Sequence, residues 1–542
     1  MKKLPLVIQS FRKIINGDYV YVDKTQYVFD LINDASYYFL SRPRRFGKSL
    51  LLDTIAEAFS GDKELFRGLF LYESGYDFAK YPVLRLDMSK IANESAEILK
   101  DSLTTALTEY ANNENVQVIG NTPSDMFQYL IEHLYKKYGT RVVILVDEYD
   151  KPILDHIDDV RLAETNQKVL RSFYGILKSM DPYLRLTFIT GVSKFAKTSI
   201  FSEMNNLLDI TMTKRYSDIC GIATGDLERY FGAHMAKLAS SGELGDCDSI
   251  REKTLAWYDG YSWDGKTRLI NPFSLLSFFS QERFSGFWYA SGTPAFLIKL
   301  IKEKPSSFLS LSDLEISEWV LDSVDIRKIS VAPLLFQTGY LTVAERRNNA
   351  PESFLLRMPN FEVREAFYLG IMAEFTESEG YFAETTYRKM KDSLETGHLQ
   401  EMLILLRSLF ASIPYQLHVN REAYYHSIFL AIMSILGFEI ASEVQTSNGR
   451  IDAVLELNDK IYIMEFKYSA CAPDTPQDIK QKLFEEALED GLLQIRDRGY
   501  GNKYAGKGKA VYQVAFAFLG RDDIEMKIIE RSAPLSSRQP TP

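Results

Sequence analysis

The feature that most constrains the fold is a polar loop that separates a short apolar run from a helical pattern. Its sequence is Arg42-Pro43-Arg44-Arg45-Phe46-Gly47-Lys48-Ser49, which matches the phosphate-binding pattern GxxxxGK[ST] except that Arg42 replaces the first glycine. The chemistry of this pattern needs backbone N–H groups at a helix N-terminus, a lysine for the outer phosphates and a hydroxyl for Mg²⁺. Gly47, Lys48 and Ser49 supply those groups, so the sequence predicts a nucleotide site after a first β-strand.

Short β-rich apolar runs alternate with longer helical patterns from about Tyr37 to Thr213. The run Val142–Asp147 is almost continuously apolar, as expected of a central parallel strand that is buried on both faces. The sequence therefore predicts a three-layer α/β domain with a parallel sheet. Its predicted strands are Tyr37–Leu40, Tyr81–Met88, Val142–Asp147, Leu184–Thr190 and Leu207–Met212.

Two carboxylates follow one another at the carboxyl end of the run Val142–Asp147. We expect this strand to neighbour the strand that precedes the loop. Asp147 is then placed to hold Mg²⁺, usually through water, and Glu148 to orient the attacking water. The loop and the carboxylate pair support one another, because each alone has an ordinary structural explanation.

Other polar residues near the loop leave alternatives open. Thr190 and Ser193 end the next strand, where they either sense the γ-phosphate or cap a helix. Arg42, Arg44 and Arg45 either bind phosphate or keep the loop in solvent, and we expect at least one of them to bind phosphate.

Composition excludes several classes of protein. A chain of 542 residues exceeds the roughly 250–300 residues of a single core, so several domains are expected. The 63 basic and 73 acidic residues give a net charge of −10, so net charge does not attract nucleic acid. Three separated cysteines exclude a disulfide framework, and the longest apolar stretch, Ile428–Phe438, is too short to span a membrane. We expect a soluble cytoplasmic protein without a membrane partner.

A second chemical site is predicted near the C-terminus, on a hairpin of the strands Ile451–Leu457 and Lys460–Lys467. Glu465 and Lys467 share one face because side chains alternate along a strand, and the hairpin brings Asp452 beside them. Two carboxylates and a lysine suit a Mg²⁺ or Mn²⁺ ion that activates water for phosphate hydrolysis. The alternative is a solvated sheet face. Further candidate acidic ligands are Glu422 and Glu443.

The spacing Asp-x₁₂-Glu-x-Lys resembles the PD-(D/E)XK nuclease core. The segments Tyr21–Thr25, Ser41–Ser49, Val146–Asp150 and Thr190–Lys194 are similar to those of AAA-ATPase-like proteins that carry a C-terminal PD-(D/E)XK nuclease-like domain. The resemblance implies a P-loop NTPase domain, a restriction-endonuclease-like α/β domain, and ATP with Mg²⁺ at the first site. The residues expected to contact ATP are Arg44, Arg45, Phe46, Gly47, Lys48, Ser49, Asp147 and Thr190. The residues expected to hold metal are Ser49, Asp147, Asp452 and Glu465.

The predicted domains follow from this resemblance and from a change in sequence pattern after Gly221, where helix-like segments replace the alternation of strands and helices. They are an AAA-ATPase-like P-loop domain (1–225), a mostly helical middle region (226–390), a nuclease-like domain (391–530) and a flexible tail (531–542).

A nucleic-acid surface is predicted from Leu492 to Ala510, where five basic residues alternate with Tyr500 and Tyr504. The basic residues suit a phosphate backbone and the tyrosines suit stacking on bases, although a solvated loop has the same composition. Gln494 and Tyr500 resemble, loosely, the Gln-x₃-Tyr element of related nucleases.

The sequence thus predicts an ATP-binding and ATP-hydrolysing protein coupled to a metal-dependent nuclease that acts on DNA or RNA. A first alternative is a regulatory ATPase whose C-terminal domain binds nucleic acid or protein without cleavage. A second is a nucleotide-dependent scaffold. A homo-oligomer that completes the ATP site with a neighbour's arginine is also compatible with the sequence.

Overall fold

A computed structural model describes residues 1–194, 200–201, 204, 206–288, 314–322, 330–347, 352–367, 380–411, 425, 429, 432–433, 440–446, 449–457, 459–472, 474–504, 507–520 and 523–531. The chain divides into two compact units, residues 1–291 with 311–363 and residues 292–310 with 364–542. The finer division at residues 225, 390 and 530 stays a prediction. Within the described ranges, no helix has both the length and the apolar character that a membrane crossing requires.

The first unit is an α/β structure followed by helices and short strands. Its helices are α1 (Phe11–Asn16), α2 (Thr25–Asp34), α3 (Lys48–Ala58), α4 (Phe70–Glu73), α5 (Ala96–Asn113), α6 (Pro123–Tyr138), α7 (Lys151–Leu154), α8 (Val160–Gly175), α9 (Asp226–Ser241), α10 (Cys247–Tyr258), α11 (Pro272–Gln281), α12 (Glu318–Asp322) and α13 (Val331–Thr338). Its strands are β1 (Tyr37–Ser41), β2 (Val83–Asp87), β3 (Val142–Asp147), β4 (Leu184–Gly191), β5 (Leu208–Asp209), β6 (Ile222–Ala223), β7 (Leu269–Ile270), β8 (Leu314–Ser317), β9 (Thr342–Arg347) and β10 (Ser353–Arg357).

A five-stranded parallel sheet in the order β2-β3-β4-β1-β5 forms the centre of this unit. All residues of β1, and all of β3 before Asp147, are buried, which is the pattern expected of strands with helices on both faces. The predicted parallel sheet is confirmed. The predicted position of β3 beside β1 is wrong, because β4 lies between them. Thr190 on β4 consequently stands between the loop and Asp147.

The middle region contains more strand than its sequence suggested. Helices α9, α10 and α11 occur as expected, but β8, β10 and β9 form a three-stranded antiparallel sheet. These strands are short and carry charged residues such as Glu345, Arg346 and Arg347. Their apolar alternation is therefore too brief to be recognised in the sequence.

The second unit is built on a mixed five-stranded sheet in the order β11-β12-β13-β14-β15. Strands β13 and β14 are parallel and the other pairs are antiparallel, so the predicted hairpin of β12 and β13 is confirmed. The tail predicted at 531–542 lies outside the described residues except for Arg531. The elements are α14 (Gly380–Thr396), α15 (Leu399–Ala411), α16 (Gln477–Asp497), β11 (Ile440–Thr446), β12 (Gly449–Glu456), β13 (Lys460–Ser469), β14 (Ala510–Leu519) and β15 (Asp523–Arg531).

Candidate functional site

The loop between β1 and α3 has the geometry of a phosphate cradle. Gly47 has φ +95° and directly precedes the first residue of α3, and such a left-handed conformation is favourable for glycine. A Cβ atom built on Gly47 has no heavy atom within 4 Å, so the space at the helix N-terminus is open. Backbone N–H groups and the helix dipole therefore face a space in which an anion can bind.

Lys48 is buried, and its ammonium group contacts the loop itself. The Nζ atom donates hydrogen bonds to the backbone carbonyls of Arg42 (2.8 Å) and Pro43 (2.9 Å). Burial lowers the pKa of Lys48, while the charge of Asp147 acts in the opposite direction. Since neutral carbonyls balance none of its charge, a phosphate would be a stronger partner for this ammonium group.

Ser49, Asp147 and Thr190 meet at the carboxyl end of the sheet. The Ser49 hydroxyl donates to Asp147 Oδ2 (2.5 Å), and the Thr190 hydroxyl donates to Asp147 Oδ1 (2.7 Å). Three elements, α3, β3 and β4, therefore converge on one carboxylate. A hydroxyl and a carboxylate beside a polyphosphate cradle are a donor set that suits Mg²⁺.

Glu148 follows Asp147 in a left-handed conformation with φ 53°, which non-glycine residues seldom adopt. Burial raises the pKa of its carboxyl group, and the charge of Lys48 opposes that shift. The Glu148 carboxyl group therefore lies near Lys48 of the cradle, and its water-orienting role stays a prediction.

Asp150 is a positioning residue that sequence reasoning missed. Its buried carboxylate accepts hydrogen bonds from Val192 N (3.2 Å), Ser193 N (2.6 Å) and the Ser193 hydroxyl (2.7 Å). These bonds join the end of β3 to the end of β4. Ser193 therefore binds Asp150, and Thr190 is the residue that contacts Asp147. The signal in the sequence was the third acidic residue of Asp147-Glu148-Tyr149-Asp150.

Gly191 allows Asp150 to approach the end of β4 closely, and replacement of Gly191 tests this packing. A Cβ atom at this position would lie 2.5 Å from the Tyr149 ring and 2.6 Å from Asp150 Oδ1. We expect Gly191→Ala to lower the free energy of unfolding by about 2 kcal/mol or more, because the junction must open. Gly232→Ala is the control, since it lies within α9 with no atom within 4 Å of the new methyl group. Chemical denaturation measures both variants, and an unchanged Gly191→Ala midpoint would contradict the packing.

Arg42, which replaces the first glycine of the motif, does not face the cradle. Its buried guanidinium lies 4.0 Å from the Trp263 ring centroid and donates to the carbonyls of Ser41, Thr211, Tyr216 and Ser217. The phosphate-binding alternative is therefore wrong for Arg42. Its role is to fix the start of the loop.

Phe46 also points into the protein. Its buried ring packs edge-on against Tyr261 (5.0 Å between centroids) and Trp263 (5.1 Å), so only its backbone is available to ATP. Arg44 and Arg45 are exposed, and the Arg45 guanidinium lies 3.8 Å from the Phe273 ring centroid. Arg44 and Arg45 remain the predicted phosphate ligands among the loop arginines.

A mostly apolar cavity opens beside Gly47 in the first unit. It is lined by the segment before α2, by α3 and by residues around β6 and α11, including Tyr21, Lys24, Leu51, Ile222 and Pro272. Apolar walls with few polar groups are typical of small-molecule pockets. The sequence signal for this cavity was the segment Tyr21–Thr25.

The second candidate site lies on the hairpin of β12 and β13. Phe466 N–H donates to Asp452 Oδ2 (3.0 Å), and Asp452 N–H donates to Glu465 Oε1 (3.4 Å). Glu465 is completely buried, and burial together with the charge of Asp452 raises its pKa to about 8. Two carboxylates are thus close together where water does not separate their charges.

Gln494 on α16 connects Glu465 to Lys467. Its amide donates to Glu465 Oε2 (2.8 Å) and accepts from Lys467 Nζ (2.7 Å). Gly491 allows α16 to approach so closely, because a Cβ atom there would already lie 3.0 Å from Ala515 Cβ. The structure therefore brings Asp452, Glu465 and Lys467 together. It also adds Gln494, whose link to the related nucleases was only loose in the sequence.

The donor set of the hairpin fits a hydrated divalent ion. In the part of the chain that the structure describes, no group of three or more His, Cys, Asp and Glu side chains could hold a metal. Asp452 and Glu465 supply two oxygen ligands, and Mg²⁺ commonly takes the rest from water and phosphate. A cation would also remove the repulsion that raises the pKa of Glu465. Glu422 and the side chain of Glu443 lie outside the described residues.

The predicted stacking surface is wrong. Tyr500 and Tyr504 are buried in a core with Ile461 and Ile495, so their rings cannot stack on bases. Lys507 and Lys509 both pair with Glu456, at 2.6 Å and 2.9 Å. The glycines and charged residues of this segment are typical of an exposed loop. In the structure, however, its two tyrosines pack in the core between α16 and the sheet. The exposed basic residues that remain include Arg496, Arg498 and Lys503.

The raised pKa of Glu465 predicts a pH-dependent stability. Its carboxyl binds a proton more tightly in the folded than in the unfolded protein, so stability falls between the ordinary pKa of 4.5 and about 8. We expect Glu465→Gln, without metal, to raise the free energy of unfolding by about 2 kcal/mol near pH 8.5 and to remove this dependence.

Glu456→Gln is the matched control, because Glu456 lies on the same hairpin, pairs with two lysines and has a lowered pKa. Chemical denaturation of both variants at several pH values, with a chelator present, provides the measurement. Equal pH profiles for Glu465→Gln and the unmodified chain would contradict a Glu465 carboxyl group buried beside Asp452.

Comparison with known proteins finds one family match within each of the two compact units. Residues 5–201 match a family described as predicted AAA-ATPase, and residues 420–528 match the PD-(D/E)XK nuclease superfamily. A protein of Azotobacter chroococcum, described as an uncharacterized protein in the vnfD 5′ region, is 36% identical over 527 residues. That alignment covers 95% of this chain and 96% of the relative.

Proposed function

This chain belongs to the family of predicted AAA-ATPases that carry a C-terminal PD-(D/E)XK nuclease-superfamily domain, and on that basis we propose two coupled phosphate chemistries. The first is binding and hydrolysis of ATP with Mg²⁺ at the loop 42–49. The second is metal-dependent cleavage of DNA or RNA phosphodiesters at Asp452, Glu465 and Lys467. The observation that carries the proposal is that Ser49 and Thr190 converge on Asp147 in the first site, and that Gln494 joins Glu465 and Lys467 beside Asp452 in the second.

In the ATP site, Lys48 exchanges its bonds to the Arg42 and Pro43 carbonyls for oxygens of the outer phosphates. Ser49 and Asp147 hold Mg²⁺, which when bound balances the charge of the phosphates and aligns them. Thr190 keeps the Asp147 carboxylate in place, and Glu148 orients the attacking water. The base occupies the apolar cavity that Tyr21 and Leu51 line.

In the nuclease site, Asp452 and Glu465 hold the divalent ion, which when bound activates a water and stabilises charge on the phosphate. Gln494 holds Lys467 on the same face as Glu465. Lys467 orients the water and stabilises the negative charge that develops in the transition state. Gln494 acts as a positioning residue for Glu465 and Lys467.

One assay tests both activities. Purified chain is incubated with ATP and with labelled DNA or RNA, in Mg²⁺ or Mn²⁺ and in chelator. We expect phosphate release from ATP and shortened nucleic acid only when metal is present. Phosphate release with intact nucleic acid would leave only the ATPase part of the proposal.

A second candidate function is a regulatory ATPase whose C-terminal domain binds nucleic acid or protein without cutting. The pairing of Lys507 and Lys509 with Glu456 supports its protein-binding form, because this segment then presents less positive charge to a phosphate backbone than its sequence suggests. It predicts nucleotide-dependent binding of an intact oligonucleotide or protein.

The partner expectation of a homo-oligomer has a separate test. Arg42 is engaged within the protein, so an arginine from a neighbouring copy would add a cation to the ATP site beside the predicted ligands Arg44 and Arg45. Mass measurement with and without ATP distinguishes a monomer from such an assembly.

A further inference from the structure

Helix α13 occupies an unusual place in the first unit. Helices α12 and α13 follow one another between β8 and β9, and in helix-turn-helix proteins the second of two successive helices reads DNA. Six of the eight residues of α13 are buried, however, so this helix has no face for a DNA groove. Its contacts lie instead on the ATP site.

Gln337 of α13 contacts the segment that follows β4. Its buried side-chain oxygen accepts a hydrogen bond from Lys194 N (2.9 Å), and its amide donates to the Leu321 carbonyl (3.0 Å). Lys194 directly follows Ser193, which Asp150 holds at the end of β3. One side chain therefore connects the polar end of the ATPase sheet to the end of α12.

Gly339, just after α13, contacts the phosphate loop. A Cβ atom on Gly339 would lie 2.8 Å from Pro43 Cβ, and the residue has φ +94°. The carbonyl of this same Pro43 accepts a hydrogen bond from Lys48 Nζ (2.9 Å). Any movement of Pro43 therefore meets the backbone at the end of α13.

A second connection runs from the loop to β9. The Phe46 ring packs against Tyr261 and Trp263. Between these two aromatic residues, the Ser262 carbonyl accepts bonds from Val343 N (3.1 Å) and the Thr342 hydroxyl (2.9 Å). The start of β9 is thus fixed to the segment that packs on the loop.

We propose that α13 and β9 transmit the nucleotide state of the phosphate loop to the three-stranded sheet β8-β10-β9. The inference rests on the proposed ATP site, because Lys48 must leave the Pro43 carbonyl to reach a phosphate. Release of that bond changes the constraint on Pro43, which Gly339 meets at the end of α13, three residues before β9. Gln337 holds α13 to Lys194 and to α12, so that the helix transmits this change to β9 as a fixed unit. The buried helix α13 thus links the nucleotide site to β9 and does not contact DNA.

Hydrogen exchange of the full-length chain tests the proposal, with β,γ-imido-ATP and Mg²⁺ as the probe and its binding measured in parallel by calorimetry. We expect the analogue to change exchange in residues 342–347 and 352–357 by about five-fold or more. Binding without any change in these peptides would overturn the transmission but leave the ATP site intact. Absence of binding would overturn both.

A variant separates transmission from packing. Gln337→Met keeps the size of the side chain and removes both hydrogen bonds, so the analogue should bind within about two-fold of normal while the exchange change at 342–347 is lost. Thr338→Val is the control, because the Thr338 hydroxyl donates to the Leu334 carbonyl within the same helix. An exchange response retained in Gln337→Met, or lost equally in Thr338→Val, would overturn the role of Gln337.

Discussion

Replacing Lys48 by alanine is expected to weaken ATP binding by about 100-fold, because a buried charge-assisted contact to phosphate is removed. The ammonium group is positioned for that contact by the Arg42 and Pro43 carbonyls. Titration with a fluorescent ATP analogue measures the effect. Lys90→Ala is the control, since the Lys90 side chain is 79% exposed and pairs with Asp87.

Comparison of Lys48→Ala with Glu148→Gln separates ATP binding from ATP hydrolysis. That variant keeps the cradle and should bind ATP normally, but phosphate release should fall by about 100-fold because the water is no longer oriented by a carboxylate. Normal binding by Lys48→Ala would contradict the assignment of the cradle. Normal turnover by Glu148→Gln would remove the assigned role of Glu148 only.

The second large effect is expected at the hairpin, where Asp452→Asn and Lys467→Ala should each lower nucleic-acid cleavage by about 1,000-fold. Asp452→Asn removes the charge of one of the two proposed metal ligands. Lys467→Ala removes the cation that Gln494 holds beside Glu465. Cleavage of a labelled strand and phosphate release from ATP should be followed in the same samples.

ATP hydrolysis should survive in both hairpin variants, because their residues belong to a different compact unit from the loop. Asp459→Asn is the control, since Asp459 lies on the same hairpin, is exposed and pairs with Lys460. Equal cleavage by Asp452→Asn and the unmodified chain would exclude a hydrolytic role for this face. It would favour the regulatory ATPase that binds without cutting.

The sequence predicted features that local geometry determines. Lys48 and Ser49 were found because a phosphate cradle requires fixed spacing within one loop. Glu465 and Lys467 were placed on one face because side chains alternate along a strand. The parallel sheet of the first unit and the hairpin of the second were predicted because buried strands have near-continuous or alternating apolar runs.

Features that depend on distant contacts were not predictable in this way. Arg42 looks like a phosphate ligand in the motif, but its guanidinium is directed to carbonyls more than 160 residues away along the chain. Gln494 reaches Glu465 only because Gly491 lets α16 lie against the sheet. Tyr500 is buried because the same helix leaves space for it. No local pattern specifies such partners, and only the assembled fold shows them.

The most direct test of the account is the number of Mn²⁺ ions that the chain binds, measured by electron paramagnetic resonance with and without β,γ-imido-ATP. Two separate phosphate sites predict a nucleotide-independent Mn²⁺ site that Glu465→Gln removes, and a nucleotide-dependent site that Lys48→Ala removes. Each variant should keep the other site. Loss of both sites in one variant, or nucleotide-free binding that Glu465→Gln leaves unchanged, would contradict the account.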